Sequence, residues 1–226
     1  MISLNLFLMK FVLVFFDDIL VYSKSLADHL DHLRVVLSVL LQNQLYAKRS
    51  KCTFGCSKVK YLGHIVSSEG VKIDPKKVLA MQQWPTPTCV KALRGFLGLI
   101  GYYIKFIKNY GLIAAPLTNL LKKDSFKWTA EADSAFQHLK ATVMNPPVLA
   151  LPDFSKPFVS ECDALGVGIS AILMQGQRPI AFHNQALKGK SLHLSTYEKE
   201  FLALITNVKR WRPYLLGKPC IIKTDP

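Results

Sequence analysis

The chain has 226 residues, of which half are apolar and 11% aromatic. This composition excludes a disordered tail, a collagen and a low-complexity linker, and the length allows one or two domains with a sizeable core. The net charge of +14 is concentrated in residues 51–150, which carry 14 basic and 5 acidic groups. A basic middle segment predicts a polyanionic partner, either nucleic acid or an anionic membrane surface, although lysines that only keep a protein dispersed give the same composition.

The first 16 residues form a largely apolar stretch with Lys10 in its middle. A secretory signal or a membrane anchor is disfavoured because there is no basic start and no small-residue cleavage site. In addition, Asp17 and Asp18 end the stretch before it reaches membrane-spanning length. We therefore interpret this stretch as a buried strand.

Two β-prone runs, residues 11–16 and 19–22, flank the acidic pair. This pattern predicts a hairpin whose tip carries the carboxylates of Asp17 and Asp18. Adjacent carboxylates repel each other, and a divalent cation would relieve the repulsion because Mg²⁺ prefers carboxylate oxygens. An ordinary exposed turn is the alternative, since aspartate is a common turn residue.

Capping residues mark the starts of several predicted helices. Ser25 with Asp28 begins a helix with leucines at helical spacing, and Asp74 followed by Pro75 begins a short helix that ends before Pro85. Short strands are expected within residues 51–67. Two apolar stripes predict further helices. The first stripe is Leu93, Phe96, Leu97 and Ile100. The second is Phe136, Leu139 and Val143, in a helix that Thr129 caps.

Aromatic and basic residues alternate between Tyr102 and Tyr110. Such a mixture suits contact with the bases and phosphates of a nucleic acid. However, Tyr103 and Phe106 also have the spacing of helical core positions. We expect most of the aromatic side chains in the core and some of the lysines on phosphate groups.

The last 75 residues are predicted to fold as β-β-β-α-β. The strands are expected near residues 157–163, 167–174, 178–183 and 220–224, and the helix from Ser195 to about Trp211. Asp163 ends the first of these strands and Asp225 follows the last. If these two strands are neighbours, both carboxylates lie at one sheet edge.

A glutamate of this helix could complete a cluster of three carboxylates with Asp163 and Asp225. Such a cluster predicts a divalent-metal site that activates water for phosphodiester hydrolysis. Glu198 and Glu200 both flank the apolar stripe of the helix, so helical geometry does not choose between them. A capping box with Ser195 would engage Glu198, which leaves Glu200 freer.

The five cysteines are odd in number and scattered, which favours a reducing, intracellular compartment over a secreted disulfide scaffold. Cys52 and Cys56 are four residues apart, and His29 and His32 are a helix-spaced pair. Neither pair has the further ligands that a closed zinc site requires. We expect an intracellular protein, cytoplasmic or nuclear, without a zinc site at either pair.

The segment FFDDILVYS at residues 15–23 resembles the polymerase motif of reverse transcriptases from gypsy-type LTR retrotransposons. In this family an aromatic residue, any residue and two aspartates close the palm hairpin. The resemblance is continuous from about Lys10 to Asp225, and the motifs follow in the same order as in the family. It includes a primer-grip region at 61–67, a thumb at 93–107, a connecting segment at 126–149, and the start of an RNase H domain at 163–164, 197–204 and 224–225.

The resemblance implies that Asp17 and Asp18 are metal ligands of the polymerase. It also implies that Asp163, Glu200 and Asp225 are metal ligands of the RNase H, both sites using Mg²⁺. The implied activities are RNA-directed DNA polymerase (a nucleotidyltransferase) and ribonuclease H (an endonuclease and hydrolase). The implied partners are an RNA template, a DNA primer and an RNA–DNA hybrid, with no membrane partner.

We therefore expect an α+β fold in three parts: the C-terminal part of a palm at 1–75, a helical thumb and connection at 76–152, and a truncated RNase H-like mixed sheet at 153–226. The family's first palm aspartate and fourth RNase H ligand would lie outside this sequence, so we expect impaired activity. Two alternatives are a catalytically inactive nucleic-acid-binding remnant and a small secreted or membrane-attached protein led by its apolar N-terminus.

Overall fold

The computed structural model of the chain describes residues 7–8, 10–165 and 168–224. The chain divides into two compact units, residues 1–67 and 68–226. Both units combine helices with antiparallel strands, and the second also contains a parallel strand pair, which confirms the predicted α+β class.

In its described residues, the first unit contains two hairpins and one long helix. Strand β1 pairs antiparallel with β2, and β3 with β4. Val12 is fully buried and packs against Val36 and Leu40 of the helix. The elements are β1 (Val12–Phe15), β2 (Asp18–Val21), α1 (Leu26–Gln42), β3 (Lys58–Tyr61) and β4 (His64–Ser67).

The interpretation of the apolar N-terminus as a buried strand is only partly correct. Within the described residues β1 begins at Val12, and exposure rises towards the hairpin tip, where Phe15 is 52% and Phe16 88% exposed. The predicted leucine stripe of α1 forms a helix, but Leu26 and Leu30 are exposed. Apolar spacing therefore identified the element without identifying which side chains are covered.

The second unit begins with a strand and four helices around one apolar core. The rings of Phe96 and Phe136 lie 4.6 Å apart at its centre. Tyr103 and Phe106 are each 1% exposed, which confirms that these aromatic residues belong to the core. The elements are β5 (Gly70–Ile73), α2 (Pro75–Gln82), α3 (Val90–Tyr102), α4 (Tyr110–Asn119) and α5 (Ala130–Met144).

The C-terminal part of the second unit has the predicted β-β-β-α-β order. The sheet order is β8-β7-β6-β9, with β9 parallel to β6 and the other pairs antiparallel. Helix α6 packs through Ala203 and Trp211 against the sheet, and it continues four residues beyond the predicted end. The elements are β6 (Phe158–Leu165), β7 (Gly168–Gln175), β8 (Arg178–Ala186), α6 (Thr196–Leu215) and β9 (Cys220–Thr224).

Hydrogen bonds join the helical part of the second unit to this sheet. The Ser170 hydroxyl of β7 donates to Oδ1 of Asn109 at 2.8 Å, and Nδ2 of Asn184 in β8 donates to the carbonyl of Ile107 at 3.0 Å. Phe182 of β8 also packs against the helical core. The sheet and the helices therefore share both polar and apolar contacts.

Candidate active sites

The first acidic site is the tip of the β1–β2 hairpin. Phe16 and Asp17 form its two-residue turn, whereas Asp18 pairs with Phe15 and begins β2. Asp18 thus lies in a strand, not in the turn where we expected both carboxylates. Both aspartates are exposed.

Phe16 occupies the left-handed backbone region, with φ at +53°. Two-residue hairpin loops require positive φ at their first position so that the turn follows the twist of the strands. A bulky side chain is rare in this region and costs on the order of 1 kcal/mol. The turn that presents Asp17 is therefore strained and is held by the four residue pairs of the hairpin.

The carboxylate of Asp18 lies near the end of β3 in the same unit. Burial raises the pKa of the Tyr61 hydroxyl, and the negative charge of Asp18 raises it further. Tyr61 therefore stays protonated at neutral pH and can donate a hydrogen bond beside Asp18.

The second acidic site lies where α6 meets β6. The backbone N–H of Ala164 donates to Oε1 of Glu200 at 3.0 Å, while Oε2 is buried and has no hydrogen-bond partner among the described residues. Glu198 instead accepts hydrogen bonds from the backbone N–H and the hydroxyl of Ser195, both at 2.8 Å, in a complete capping box. The two glutamates that helical geometry left equivalent therefore have different surroundings.

Asp163 lies on β6 opposite Ser170 of β7 and is half-buried. Burial raises the pKa of the neighbouring Cys162 thiol, and the charge of Glu200 raises it further. The Asn207 side chain lowers this pKa, and the charge of Asp163 raises it. The parallel register of β6 with β9 ends at the pair Cys162–Thr224, and Asp225 lies outside the described residues.

The donor atoms suit a hard cation in part. Carboxylate oxygens are the ligands that Mg²⁺ prefers, and the buried Oε2 of Glu200 lacks a partner. Among the residues that the structure describes, no three His, Cys, Asp or Glu side chains are grouped closely enough to hold a metal ion. The described part of this site therefore provides two of the three predicted ligands, Asp163 and Glu200.

One polar cluster was missed by sequence reasoning, which left His29 and His32 without partners. The Oγ of Ser23 lies 2.7 Å from Nδ1 of His32 and 3.3 Å from Nδ1 of His29. The His32 ring stacks on Phe11 with the ring centres 3.8 Å apart. The helical spacing of the histidines was visible in the sequence, but the approach of Ser23 requires the turn between β2 and α1.

The lysines between Tyr102 and Tyr110 differ in exposure. Lys105 is half-buried, burial lowers its pKa, and its ammonium lies 5.4 Å from the centre of the Phe106 ring. Lys108 is exposed. Of these two lysines, Lys108 is better placed to contact phosphate.

Two protein families match the chain. Residues 2–66 match reverse transcriptase (RNA-dependent DNA polymerase), and residues 128–222 match the RNase H-like domain found in reverse transcriptase. Among the described helices, none is both long and apolar enough to cross a membrane.

Curated relatives cover most of the chain. The Pol polyprotein from transposon 297 of Drosophila melanogaster is 42% identical over 218 residues, which are 96% of this chain and 21% of the polyprotein. The gypsy polyprotein of the same organism is 36% identical, over 92% of this chain and 21% of its own length. An uncharacterized mitochondrial protein of Arabidopsis thaliana is 55% identical over 133 residues, 58% of this chain and 84% of that protein.

Solved structures show the same fold. The foamy viral protease-reverse transcriptase in complex with RNA/DNA hybrid matches with a TM-score of 0.86 at 22% identity, over 96% of this chain and 30% of that chain. A complex of the viral enzyme with double-stranded DNA matches at 0.84, over 94% of this chain and 38% of that chain. From the family matches and the retrotransposon relatives, the chain belongs to the reverse transcriptase and RNase H-like region of gypsy-type retrotransposon Pol polyproteins.

Proposed function

We propose that this chain provides carboxylates for two Mg²⁺-dependent reactions on nucleic acids. Asp163, Glu200 and Asp225 bind Mg²⁺ for cleavage of the RNA strand of an RNA–DNA hybrid. Asp17 and Asp18 bind Mg²⁺ for DNA synthesis from a DNA primer on an RNA template. The observation that carries the proposal is the buried Oε2 of Glu200, which has no hydrogen-bond partner among the described residues.

A buried carboxylate oxygen without a partner costs free energy, because its lost hydration is not replaced. The Ala164 N–H fixes the other oxygen of Glu200, so the side chain cannot turn away without losing that bond. A cation between Glu200 and Asp163 would replace the missing interaction. When bound, Mg²⁺ would activate a water and stabilise the leaving oxygen of the phosphodiester.

Nucleic-acid partners are supported by charge. Residues 51–150 carry a net charge of +9, and α2 and α3 expose Lys76, Lys77, Lys91 and Arg94. Exposed cations bind the phosphate backbone of nucleic acids without reading sequence. In addition, the foamy viral enzyme that shares this fold was solved with double-stranded DNA and with RNA/DNA hybrid.

Metal binding tests the RNase H-type site directly. Mn²⁺ binding to the full chain is measured by water-proton relaxation for the unaltered protein, Glu200→Gln, Asp163→Asn and the matched control Glu198→Gln. We expect Glu200→Gln and Asp163→Asn each to weaken one site at least about tenfold, because each removes an anionic ligand. Glu198→Gln should bind as the unaltered chain does, since glutamine also completes a capping box.

Hybrid cleavage is the second measurement. Any Mg²⁺-dependent cleavage of an RNA–DNA hybrid by the chain should disappear with Glu200→Gln and persist with Glu198→Gln. Equal metal affinity in the unaltered chain and Glu200→Gln would contradict the proposed site. For the hairpin, Asp17→Asn with Asp18→Asn should remove a further Mn²⁺ site, and Asp28→Asn on α1 is the control.

The second candidate function is nucleic-acid binding without catalysis, which the charge of residues 51–150 favours. If about six phosphates are neutralised, the logarithm of the affinity for duplex DNA should fall with the logarithm of salt concentration at a slope of about −5. Fluorescence anisotropy measures this slope. Binding that is unchanged in EDTA, together with Mn²⁺ affinity that Glu200→Gln leaves unaltered, would favour this candidate over the first.

A further inference from the structure

A pocket of about 450 Å³ lies in the second unit where α4 and α5 meet β8. Phe106, Ile113 and Phe182 contribute to its apolar lining, and Lys108 and His138 contribute polar groups. The volume falls within the range of small-molecule sites, which are mostly apolar with a few polar groups that orient the ligand. Neither Asp163 nor Glu200 lines this pocket.

The pocket is supported by contacts that form without a ligand. Asn109 has left-handed backbone with φ at +57°, a conformation that asparagine tolerates, and its Oδ1 accepts from Ser170 at 2.8 Å. The carbonyl of Ile107 accepts from Nδ2 of Asn184 at 3.0 Å. Phe106 is 1% exposed, so its ring has little freedom. The lining is therefore preformed, which lowers the ordering cost of binding.

The ionisable side chains that line the pocket are basic. Among the described residues that line it, none carries a carboxylate, whereas Lys108 and His138 are exposed and can donate hydrogen bonds to an anion. Aromatic side chains favour offset or edge contacts with a planar ring. We propose that this pocket binds a planar aromatic ring carrying one phosphate or carboxylate group, with the ring beside the half-buried Ile113 and Phe182 and the anion at Lys108 and His138.

Two sources share this ligand chemistry, nucleoside monophosphates and aromatic carboxylates. Titration calorimetry of the full chain with adenosine 5′-monophosphate and with 1-naphthoate separates them. Adenosine and inorganic phosphate probe the ring and the anion alone. We expect a dissociation constant of about 10–100 µM for at least one of the two combined ligands, from the usual binding free energy per atom. The probe that binds identifies the source, and binding of both indicates aromatic anions in general.

Substitutions locate the binding. Lys108→Ala should weaken it about tenfold, because a charge-assisted hydrogen bond is lost. Thr142→Phe should abolish it by filling the pocket, which Thr142 lines. Lys123→Ala removes an exposed lysine that does not line the pocket and should leave the affinity unchanged. Thermal unfolding of each variant verifies that it is folded.

Three results would overturn the proposal. The first is the absence of saturable binding of either combined ligand up to about 2 mM, a concentration at which even weak specific sites fill. The second is binding of inorganic phosphate as tight as that of the combined ligand. The third is an equal loss of affinity in folded Lys108→Ala and Lys123→Ala, which would indicate attraction to the overall positive charge.

Discussion

The backbone N–H of Ala164 donates a 3.0 Å hydrogen bond to Oε1 of Glu200, and this bond joins α6 to the C-terminal part of β6. Oε2 of the same carboxylate is buried and has no hydrogen-bond partner among the described residues. An oxygen in this position lowers the stability of the folded chain unless something binds it. This unpartnered oxygen supports the proposal that Glu200 is a metal ligand.

Mg²⁺ should stabilise the unaltered chain more than it stabilises Glu200→Gln. A cation that binds only the folded state adds stability by mass action, about 2.7 kcal/mol at a concentration 100 times its dissociation constant. In EDTA, Glu200→Gln should be at least as stable as the unaltered chain, because it removes a buried charge. Thermal unfolding in EDTA and in Mg²⁺ measures both effects. Glu198→Gln serves as control, and an equal Mg²⁺ shift in Glu200→Gln would contradict the prediction.

Replacing two asparagines of the second unit with alanine should change the stability of the fold in opposite directions. Asn207 on α6 is 1% exposed, and among the described residues neither polar atom of its side chain has a hydrogen-bond partner of normal geometry, although the Cys162 thiol is close by. We expect Asn207→Ala to stabilise the fold by about 1 kcal/mol, since the relief of two unpaired groups exceeds the cost of a small cavity. Asn184→Ala should destabilise it by about 1–3 kcal/mol, because it leaves the Ile107 carbonyl unpaired. Urea unfolding measures both changes, and destabilisation by Asn207→Ala would count against this reasoning.

Local patterns predicted most of the elements because capping and apolar spacing act within a few residues. Ser195 and Glu198 form both bonds of the predicted capping box. At the start of α1, the Asp28 N–H donates to the Ser25 hydroxyl, which is one of the two bonds of a capping box. The other bond is missing, because the Asp28 carboxylate accepts from the Ser25 hydroxyl and not from the Ser25 backbone N–H. Aspartate is one methylene shorter than glutamate, which limits how far it reaches back.

What the sequence left open depends on neighbours that are distant along the chain. The different surroundings of Glu198 and Glu200 depend on the position of Ala164, which is 36 residues from Glu200. The exposure of Leu26 could not be predicted either, because helical spacing does not specify what covers a face. The assignment of Asp163, Glu200 and the other carboxylates as metal ligands stays a prediction, as do the domain boundaries after residues 75 and 152.

Acid should destabilise the fold partly through His183. Burial lowers the pKa of this imidazole from its ordinary value of 6.5, and the charge of Arg210 lowers it further. Below about pH 6.5 the unfolded chain therefore binds more protons at this histidine than the folded chain does. The contribution of the neutral His183 to the free energy of unfolding is complete above about pH 6.5 and is lost as the pH falls below it. We expect the urea midpoint to fall between about pH 7.5 and 5.5, and to fall less in His183→Gln. The control is His193→Gln, which changes an exposed histidine. An equal change of pH dependence in both variants would refute the role of His183.

Two glycines should show how backbone geometry limits substitution in the second unit. Gly70 has φ at +132°, and a Cβ there would lie 2.1 Å from the carbonyl oxygen of Leu149, which also accepts from the Val71 N–H at 2.8 Å. Gly70→Ala should therefore cost at least about 3 kcal/mol, from backbone strain and a clash that only a backbone shift can relieve. Gly98 lies within α3, where an added Cβ would meet nothing within 4 Å, so Gly98→Ala should stabilise by about 0.5–1 kcal/mol. Chemical unfolding of the two variants checks the contrast, and similar stabilities would show that the approach of Leu149 to Gly70 is not tight in solution.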